Sequence, residues 1–570
     1  VGRIATSLTA AAAALALTAV AAEHSRQIPT RAAGSGFADE VEVTVVNVEA
    51  YVRDSAGRPV KGLTVEDFRV SQDGVPMAIS NFAVLTPDRF HRELAGAEPE
   101  ESPVMDPVEV RPSYVVLYVD NENILPRHRH RVMHNVRGFV DEVLTPPVQM
   151  MVVSSERSLN VLQPFCDDPV LVNQALDRIS KYAGTRVERD RERRFIIDQI
   201  EEIGTDPAIN TPVFLDTVEM MITQVQIEAQ ILAYAERESD SLVDSLAALR
   251  QVFTMVSGLE GRTSIIHVSS GLPLSPGIGL MHEFAAVFRD NSILVKQQQV
   301  NQLPNFHSLA AAANLHGVSL YTIDASGLNP LEGFGADDYR PPDAYASAST
   351  MKSYQDSLRY LADATGGLAV VNTNDVSAGL QLIRDDLFSY YSLGYTISTS
   401  GEDRLHRIRV DLPNHPDYDL RHREWYVERS MATQVQDRVF SSLVVDFDDN
   451  PMGLQVAVGD PIPTARTRWN VPFYVSVPLR NVALVPIEDD YVGHVELFLG
   501  ARDSRGLESR PERIEHEIRI PAARYRGADN EIYRIDIQLL VKEERHRVGV
   551  GVMDRTTQQT SYARVDVVVP

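Results

Sequence analysis

The chain is short of several things that would have narrowed its reading at once. Among its 570 residues there is a single cysteine, Cys166, so no internal disulfide can staple a domain and stability must come from packing. Cys166 also lacks a CxxC or metal-type neighbour, which reads as a buried, inert thiol. Cations are outnumbered: 54 lysines and arginines face 79 acidic residues, a formal charge of −25. A chain this acidic repels nucleic acid and anionic headgroups at long range, so neither is expected as a partner. After residue 22 no apolar run is long enough to span a bilayer. Catalytic signatures are missing as well: no HExxH, no GxSxG elbow, no Walker loop and no GxGxxG behind a strand. The chain is therefore not expected to be an enzyme.

What is present is enough for a large ordered protein. A hydrophobic content of 44% over this length supports three or four domains. Residues 1–22 hold one cation, Arg3, then an uncharged Ala/Leu/Thr/Val run ending in small residues before Glu23, the layout of a secretory signal peptide. Export to the periplasm or the cell exterior is the expectation, with the mature chain starting near Ala22 or Glu23. Residues 23–40 read as a tether. The basic run Arg127-His-Arg-His-Arg131 reads as a solvated helix start, and His130 and His134 stand at i, i+4 spacing among arginines that repel a cation.

Residues 41–85 alternate in the manner of strands and form a small β module, and an acidic, proline-rich linker follows at 86–112. From 113 to about 430 strands and helices alternate, as in a mostly parallel sheet covered on both faces. The stretch 186–258 interrupts that rhythm with a charged helical hairpin or arm, its apolar residues recurring at Ile222, Val225, Ala229 and Leu232 and again at Leu242, Leu246, Leu249, Val252 and Val256, and it is expected to pack on itself. The helical signal is lost beyond 430, and 438–570 reads as a β-sandwich of immunoglobulin-like type with Trp469 filling its core.

The apolar strand Ser113–Val119 runs into Asp120-Asn121-Glu122-Asn123-Ile124. Other ordered strings are Gly62-Leu-Thr-Val-Glu-Asp-Phe68, Val268-Ser269-Ser270-Gly-Leu-Pro273, Leu320-Tyr-Thr-Ile-Asp-Ala-Ser-Gly-Leu328, Leu361-Ala-Asp-Ala-Thr-Gly-Gly367, Asn372-Thr-Asn-Asp375 and Tyr391-Ser-Leu-Gly-Tyr395. In this order the chain resembles the VWFA-related domain proteins of acidobacterial type over roughly residues 41–428. The resemblance implies a Rossmann-like von Willebrand factor type A domain, exported and without established catalysis. In metal-competent members the first strand ends in Asp-x-Ser-x-Ser, and a threonine and an aspartate come from two further loops to complete an Mg²⁺ shell. Asp120 matches the first aspartate, and Thr185 stands for the threonine. Glu122 and Ile124 replace the two serines, and Ser270 replaces the second aspartate. The metal site is thus degenerate, and no cofactor is expected; Glu122 could rescue Mg²⁺ or Ca²⁺ only by supplying a carboxylate.

Two functions of different class follow. In the first, Asp120, Asn121, Glu122, Asn123, Thr185, Ser269 and Ser270 form a face, at the strand ends of an open sheet, that meets a protein partner. The alternatives are a hydrolase using an acid pair near Asp120, Glu122 and Asp324, or metal-dependent adhesion through a compensated cation site. The first is the expectation, since fold analogy supplies no nucleophile.

Overall fold

The protein is described by a computed structural model over residues 43–86, 112–156, 158–179, 186–204, 214–328, 344–447, 449–528, 531–542 and 544–569. The expected signal peptide, tether and linker, and Thr185, lie outside these residues. The first four strands are β1 (Val43–Arg53), β2 (Arg69–Gln72), β3 (Val75–Met77) and β4 (Ile79–Leu85). Along β1 burial alternates at Val46, Val48 and Ala50, then becomes continuous from Ala50 to Arg53. Alternation ends where the second face of the strand meets another domain.

That domain begins with β5 (Ser113–Val119) and continues through α1 (Pro126–Val143), β6 (Val148–Glu156), β7 (Ser158–Cys166), α2 (Pro169–Ile179), α3 (Arg186–Gly204) and α4 (Phe214–Val256). It closes with β8 (Arg262–Ser269), α5 (Ile278–Phe288), α6 (Ser292–Lys296), α7 (Leu303–Leu315), β9 (Val318–Asp324), α8 (Ala344–Ala364), β10 (Ala369–Val370) and α9 (Ser377–Phe388). The sheet order is β10-β9-β8-β5-β6-β7, parallel throughout except for the edge strand β7. Strand β5 is apolar on both faces because both are covered. Val115, Leu117 and Val119 pack with α1, α2 and α9, while Val116 and Tyr118 pack with α4 and α7. Cys166 is partly buried against the first of these cores rather than enclosed.

The insertion is two helices, and its long member works in two halves. Leu242, Leu246, Leu249, Phe253 and Val256, at steps of four and three, cover the sheet. Ile227, Ile231, Tyr234 and Ala235 pack instead on Ile196, Ile197 and Ile200 of α3 and on Leu280, Met281 and Phe284 of α5. Of the expected apolar pattern, Leu242, Leu246, Leu249, Val252 and Val256 are buried and Leu232 is partly so, but Ile222 and Val225 are 53% and 64% exposed, Ala229 is exposed with them, and Met221 beside them is 62% exposed. Both stripes have helical spacing, and the one containing the isoleucines that match α3 and α5 won the interior.

After α9 the chain adds β11 (Tyr390–Ser398), β12 (Arg404–Asp411), β13 (Asp419–His422) and β14 (Trp425–Glu428). These do not extend the parallel sheet, as expected for Tyr391–Tyr395; they complete the N-terminal module. One sheet runs β13-β1-β11-β4 and the other β14-β12-β2-β3, and Val46, Val48, Phe68, Val70, Leu393, Tyr395, Ile408 and Val410 fill the space between them. The small β module expected at 41–85 has too few strands to bury two faces, and residues 390–428 supply the rest. The α/β domain is thus inserted between β4 and β11, with Ser389 alone separating α9 from β11. The junction is charged and buried. Asp386 binds Arg53 and Arg421, each at 2.6 Å, and Arg262 donates to the carbonyls of Asp386 and Leu387 and, at 2.6 Å, to the Tyr51 hydroxyl.

A helix, α10 (Met431–Ser442), follows where loss of helical signal was expected; its Val435 and Val439 pack on Phe498, Met553 and Tyr562. The C-terminal unit contains β15 (Gln455–Val458), β16 (Ile462–Ala465), β17 (Arg468–Pro478), β18 (Val485–Ile487), β19 (Asp490–Asp503), β20 (Glu512–Pro521), α11 (Ala522–Ala528), β21 (Ile532–Lys542), β22 (Glu544–Asp554) and β23 (Thr560–Val569). Its two sheets enclose one core that includes Phe473, Val475, Leu497 and Val550, with Trp469 partly buried against it. The turn after β19 docks on the α/β domain: Gln251 of α4 donates to the Gly506 carbonyl, and a Cβ on Gly506 would come within 2.9 Å of the Leu159 carbonyl oxygen.

Two outcomes are expected from these junctions. Asp386→Ala leaves the buried Arg53 and the half-buried Arg421 guanidinium groups without their carboxylate, and should lower stability by roughly 3–5 kcal/mol in a denaturant titration. At the second junction burial pushes the Glu508 carboxyl up to about 7 from 4.5, with Arg502 and Gln251 offsetting part of the effect. A raised carboxyl binds its proton more tightly in the folded form, so this contribution is complete below the ordinary value and is lost as pH rises through about 7. Melting temperature should fall between about pH 5 and about pH 8, and Glu508→Gln should flatten that slope.

Candidate functional site

In a sheet of this order the chain leaves β5 in opposite directions on its two sides, and the crevice for ligands opens at the carboxyl ends of β5 and β8. Register places the residues there: Val119 is opposite Val268, and Ser269 is opposite Asp324. Asp120 leaves β5 with its N–H bonded to the Val268 carbonyl at 2.9 Å, so its carboxylate is fixed by the sheet itself.

Asp120 is buried, and a buried carboxylate must find compensating donors. Asn123 Nδ2 donates to both of its oxygens, at 2.9 and 2.8 Å, and Ser269 Oγ donates to Oδ2 at 3.0 Å. Asn123 in turn is held by the insertion: its Nδ2 lies 2.9 Å from Ser245 Oγ of α4, and its Oδ1 accepts from Arg189 of α3 at 2.5 Å. Arg189 is steadied by Ser241 Oγ at 2.7 Å. A second arrangement of the same kind stands beside it. Asn121 donates to Glu156 at 3.0 Å and accepts from Arg129. Burial draws the Arg129 pKa down, and Glu156 opposes that shift. Each asparagine therefore joins a carboxylate to a guanidinium.

Ser269 Oγ also accepts from the Gly271 N–H at 3.2 Å. Gly271 has φ +86°, and a Cβ there would come within 2.6 Å of the Tyr354 carbonyl oxygen, so α8 lies directly over the loop. The same helix locks the insertion: Tyr354 and Tyr234 both donate to Glu238, which accepts the Gly277 N–H at 2.8 Å at the start of α5. Arg186 of α3 covers the Tyr354 ring at 4.6 Å. Beneath the carboxylate, burial and the Asp120 charge push the Tyr118 phenol well above its ordinary pKa.

The structure gathers Asp120, Asn121, Asn123, Ser269 and Ser270 at one place but buries all five. As a face for a protein partner the set is therefore corrected, because α3, α4 and α8 roof it; Glu122 alone of the described candidates is partly exposed. Ile124 is fully buried in the core with Val132 and Val136. Asp324 accepts from Ser326 N at 2.8 Å and from Gln355 at 3.1 Å, with strand β8 between it and Asp120. The basic run is not solvated throughout, since Arg129 is buried and Arg131 donates to the Ala325 and Ser326 carbonyls at 2.7 and 2.8 Å. His130 and His134 are exposed. Sequence reasoning missed Arg189, Ser241, Ser245, Arg129 and Glu156, which no motif marks; the paired asparagines between Asp120 and Ile124 were the available signal.

Among the described residues, which leave out Thr185, the donors do not fit the Mg²⁺ shell of metal-competent members of the resembled family. An Asn123 amide N–H shared by both Asp120 oxygens lies where a cation would sit, and Ile124 offers no oxygen. Ser270 Oγ is buried without a hydrogen-bond partner among the described residues, a single oxygen where metal-competent members of the resembled family carry a carboxylate.

No protein-family model matches the chain, and no characterised protein matches its sequence. Solved structures to which it is similar share little of its sequence. An aerotolerance-related membrane protein from Bacteroides fragilis is 10% identical with a TM-score of 0.23, over 48% of this chain and 98% of that one. The conserved hypothetical protein BatB from Bacteroides thetaiotaomicron is 12% identical with a TM-score of 0.22, over 49% and 97%. The pilus adhesin SpaC from Lactobacillus rhamnosus GG is 8% identical with a TM-score of 0.27, over 77% and 53%. At such values the likeness decides neither fold nor activity, and the reading of the site rests on its own geometry. Among the described residues no helix is long and apolar enough to cross a membrane.

The packing of Ile124 sets a measurable expectation. Ile124→Ser should cost roughly 3–5 kcal/mol in a denaturant titration, from the lost apolar contacts and the buried hydroxyl together. A change within about 0.5 kcal/mol, the range of an ordinary surface substitution, would place the residue outside the core.

Proposed function

We propose that the chain is an exported, non-enzymatic protein-interaction module built around a von Willebrand factor type A-like domain that works without a metal, in the manner of the VWFA-related proteins it resembles. The observation that carries this reading is the sealed switch point. Asp120 has both oxygens engaged by Asn123 and lies under the insertion, so neither a substrate nor a partner's carboxylate reaches it. The strand order, with its one antiparallel edge, supports the type A-like reading.

Binding then belongs to the outside of the insertion rather than to the sheet edge. Phe195 of α3 and Met221, Ile222 and Val225 of α4 are large apolar side chains left in water, on the element that departs furthest from an ordinary sheet domain. Crosslinking mass spectrometry in the native envelope should place partner crosslinks on 186–258. The combined variant Met221→Ser, Ile222→Ser and Val225→Ser should lose them while its melting temperature stays close to that of the parent. A broad hydrolase screen should be silent. Hydrolysis that disappears in Asp120→Asn would replace this reading with the enzymatic one. The parent should also melt at the same temperature in about 5 mM Mg²⁺ and in EDTA, because a ligand stabilises only as far as it binds the folded state. A clear rise with Mg²⁺ would return adhesion to a metal-bridged mechanism.

A further inference from the structure

We infer that the helical insertion is the internal ligand of the switch point, with Arg189 delivering through the Asn123 amide the positive charge that a cation would bring to Asp120. The inference rests on the metal-independent reading above and adds to it what takes the metal's place. Its parts are close-fitting. Asn123 turns its two-donor end to the Asp120 carboxylate at 2.9 and 2.8 Å, and its acceptor end to Arg189. The reverse amide orientation would set an oxygen against a carboxylate and an N–H against a guanidinium, so the charges on its two sides dictate its direction. An amide placed between opposite charges is polarised by both, which strengthens each hydrogen bond relative to a neutral pair.

The neighbouring Glu156–Asn121–Arg129 set shows that the same chemistry is used twice in one loop. The two differ in origin. Arg129 comes from α1, inside the sheet domain, whereas Arg189 comes from α3, so Arg189 makes neutralisation of Asp120 depend on how the insertion is seated. Ser241 and Ser245, both from α4, hold Arg189 and Asn123 from the same side. The type A site has thereby become a latch for its own insertion. Lifting α3 with the N-terminal half of α4 takes Arg189 away from Asn123 and Asp120, while keeping them down closes the crevice to external cations.

Hydrogen exchange on the full-length protein tests this. In Arg189→Met, which keeps most of the side-chain stem and removes the charge, amides of 186–204 and of the N-terminal half of α4 should exchange at least about tenfold faster, while β5 and β8 keep their protection. Arg189→Lys, which keeps the charge without the planar fork, should fall between that variant and the parent. Unchanged exchange over 186–204 in Arg189→Met overturns the latch, and leaves the protein-interaction reading standing if partner crosslinks persist. Loss of partner crosslinks in the unmodified protein overturns that reading without touching the latch. If Arg189→Met does not fold, Ser241→Ala combined with Ser245→Ala removes the support for Arg189 and Asn123 from the same face. A weaker acceleration over 186–204 is then expected, and its absence overturns the latch.

Discussion

A carboxylate buried at the end of a central strand is the constraint from which the site follows. Asp120 sits where the sheet's backbone hydrogen bonds put it, between β5 and β8, and it cannot turn to water. An uncompensated charge there would cost several kcal/mol. One way to compensate it is a divalent cation with its own oxygen shell; this chain instead presents an amide, a hydroxyl and, one bond further out, a guanidinium. Ile124 follows from the same choice. Offering no oxygen, it packs in the core with Val132 and Val136, and its burial draws the loop down onto α1.

The insertion changes character in this light. A 43-residue helix could be taken for an arm, yet half of it is the ordinary cover of one sheet face. The other half extends past the sheet and packs through Ile227, Ile231, Tyr234 and Ala235 on α3 and α5, while polar contacts orient the pair of helices: Arg189 and Arg186 of α3 at Asn123 and Tyr354, and Glu238 of α4 at Tyr354. Polar anchoring of this kind gives direction more than stability, because each charged group loses hydration as it gains a partner. The apolar residues left outside, Met221, Ile222 and Val225, are consequently held in a defined orientation.

The same balance recurs at the far end of the sheet. The α/β domain enters the N-terminal sandwich through two connections, and Asp386 between Arg53 and Arg421 ties the second of them to β1 and β13. Tyr51 is fully enclosed there. Burial pushes its phenol well above the ordinary value even though the Arg262 charge pulls the other way. A charged junction lets two independently formed cores, one aliphatic and doubly covered, the other a two-sheet sandwich, meet in one orientation.

Local features were legible from residue order alone. The continuous apolar run of β5 and the alternation at the start of β1 announce a doubly covered strand and a half-covered one, since side-chain period follows directly from strand geometry. Glu122, Ile124 and Ser270, set against the pattern of the family the chain resembles, raised the expectation of a degenerate metal site. Which partner each strand chose was decided only in three dimensions. Tyr391–Tyr395 could extend a parallel sheet or close a sandwich with equal local propensity, and the unsatisfied edges of β1 and β4, about 300 residues earlier, settled it. The insertion posed the same problem, because α4 offers two apolar stripes at helical spacing and only the positions of α3 and α5 selected Ile227 and Ile231 over Ile222 and Val225. Arg189 illustrates the limit most clearly. Sixty-six residues separate it from Asn123, and a guanidinium's role is set by the charge it meets, which is a property of the folded chain and not of its order.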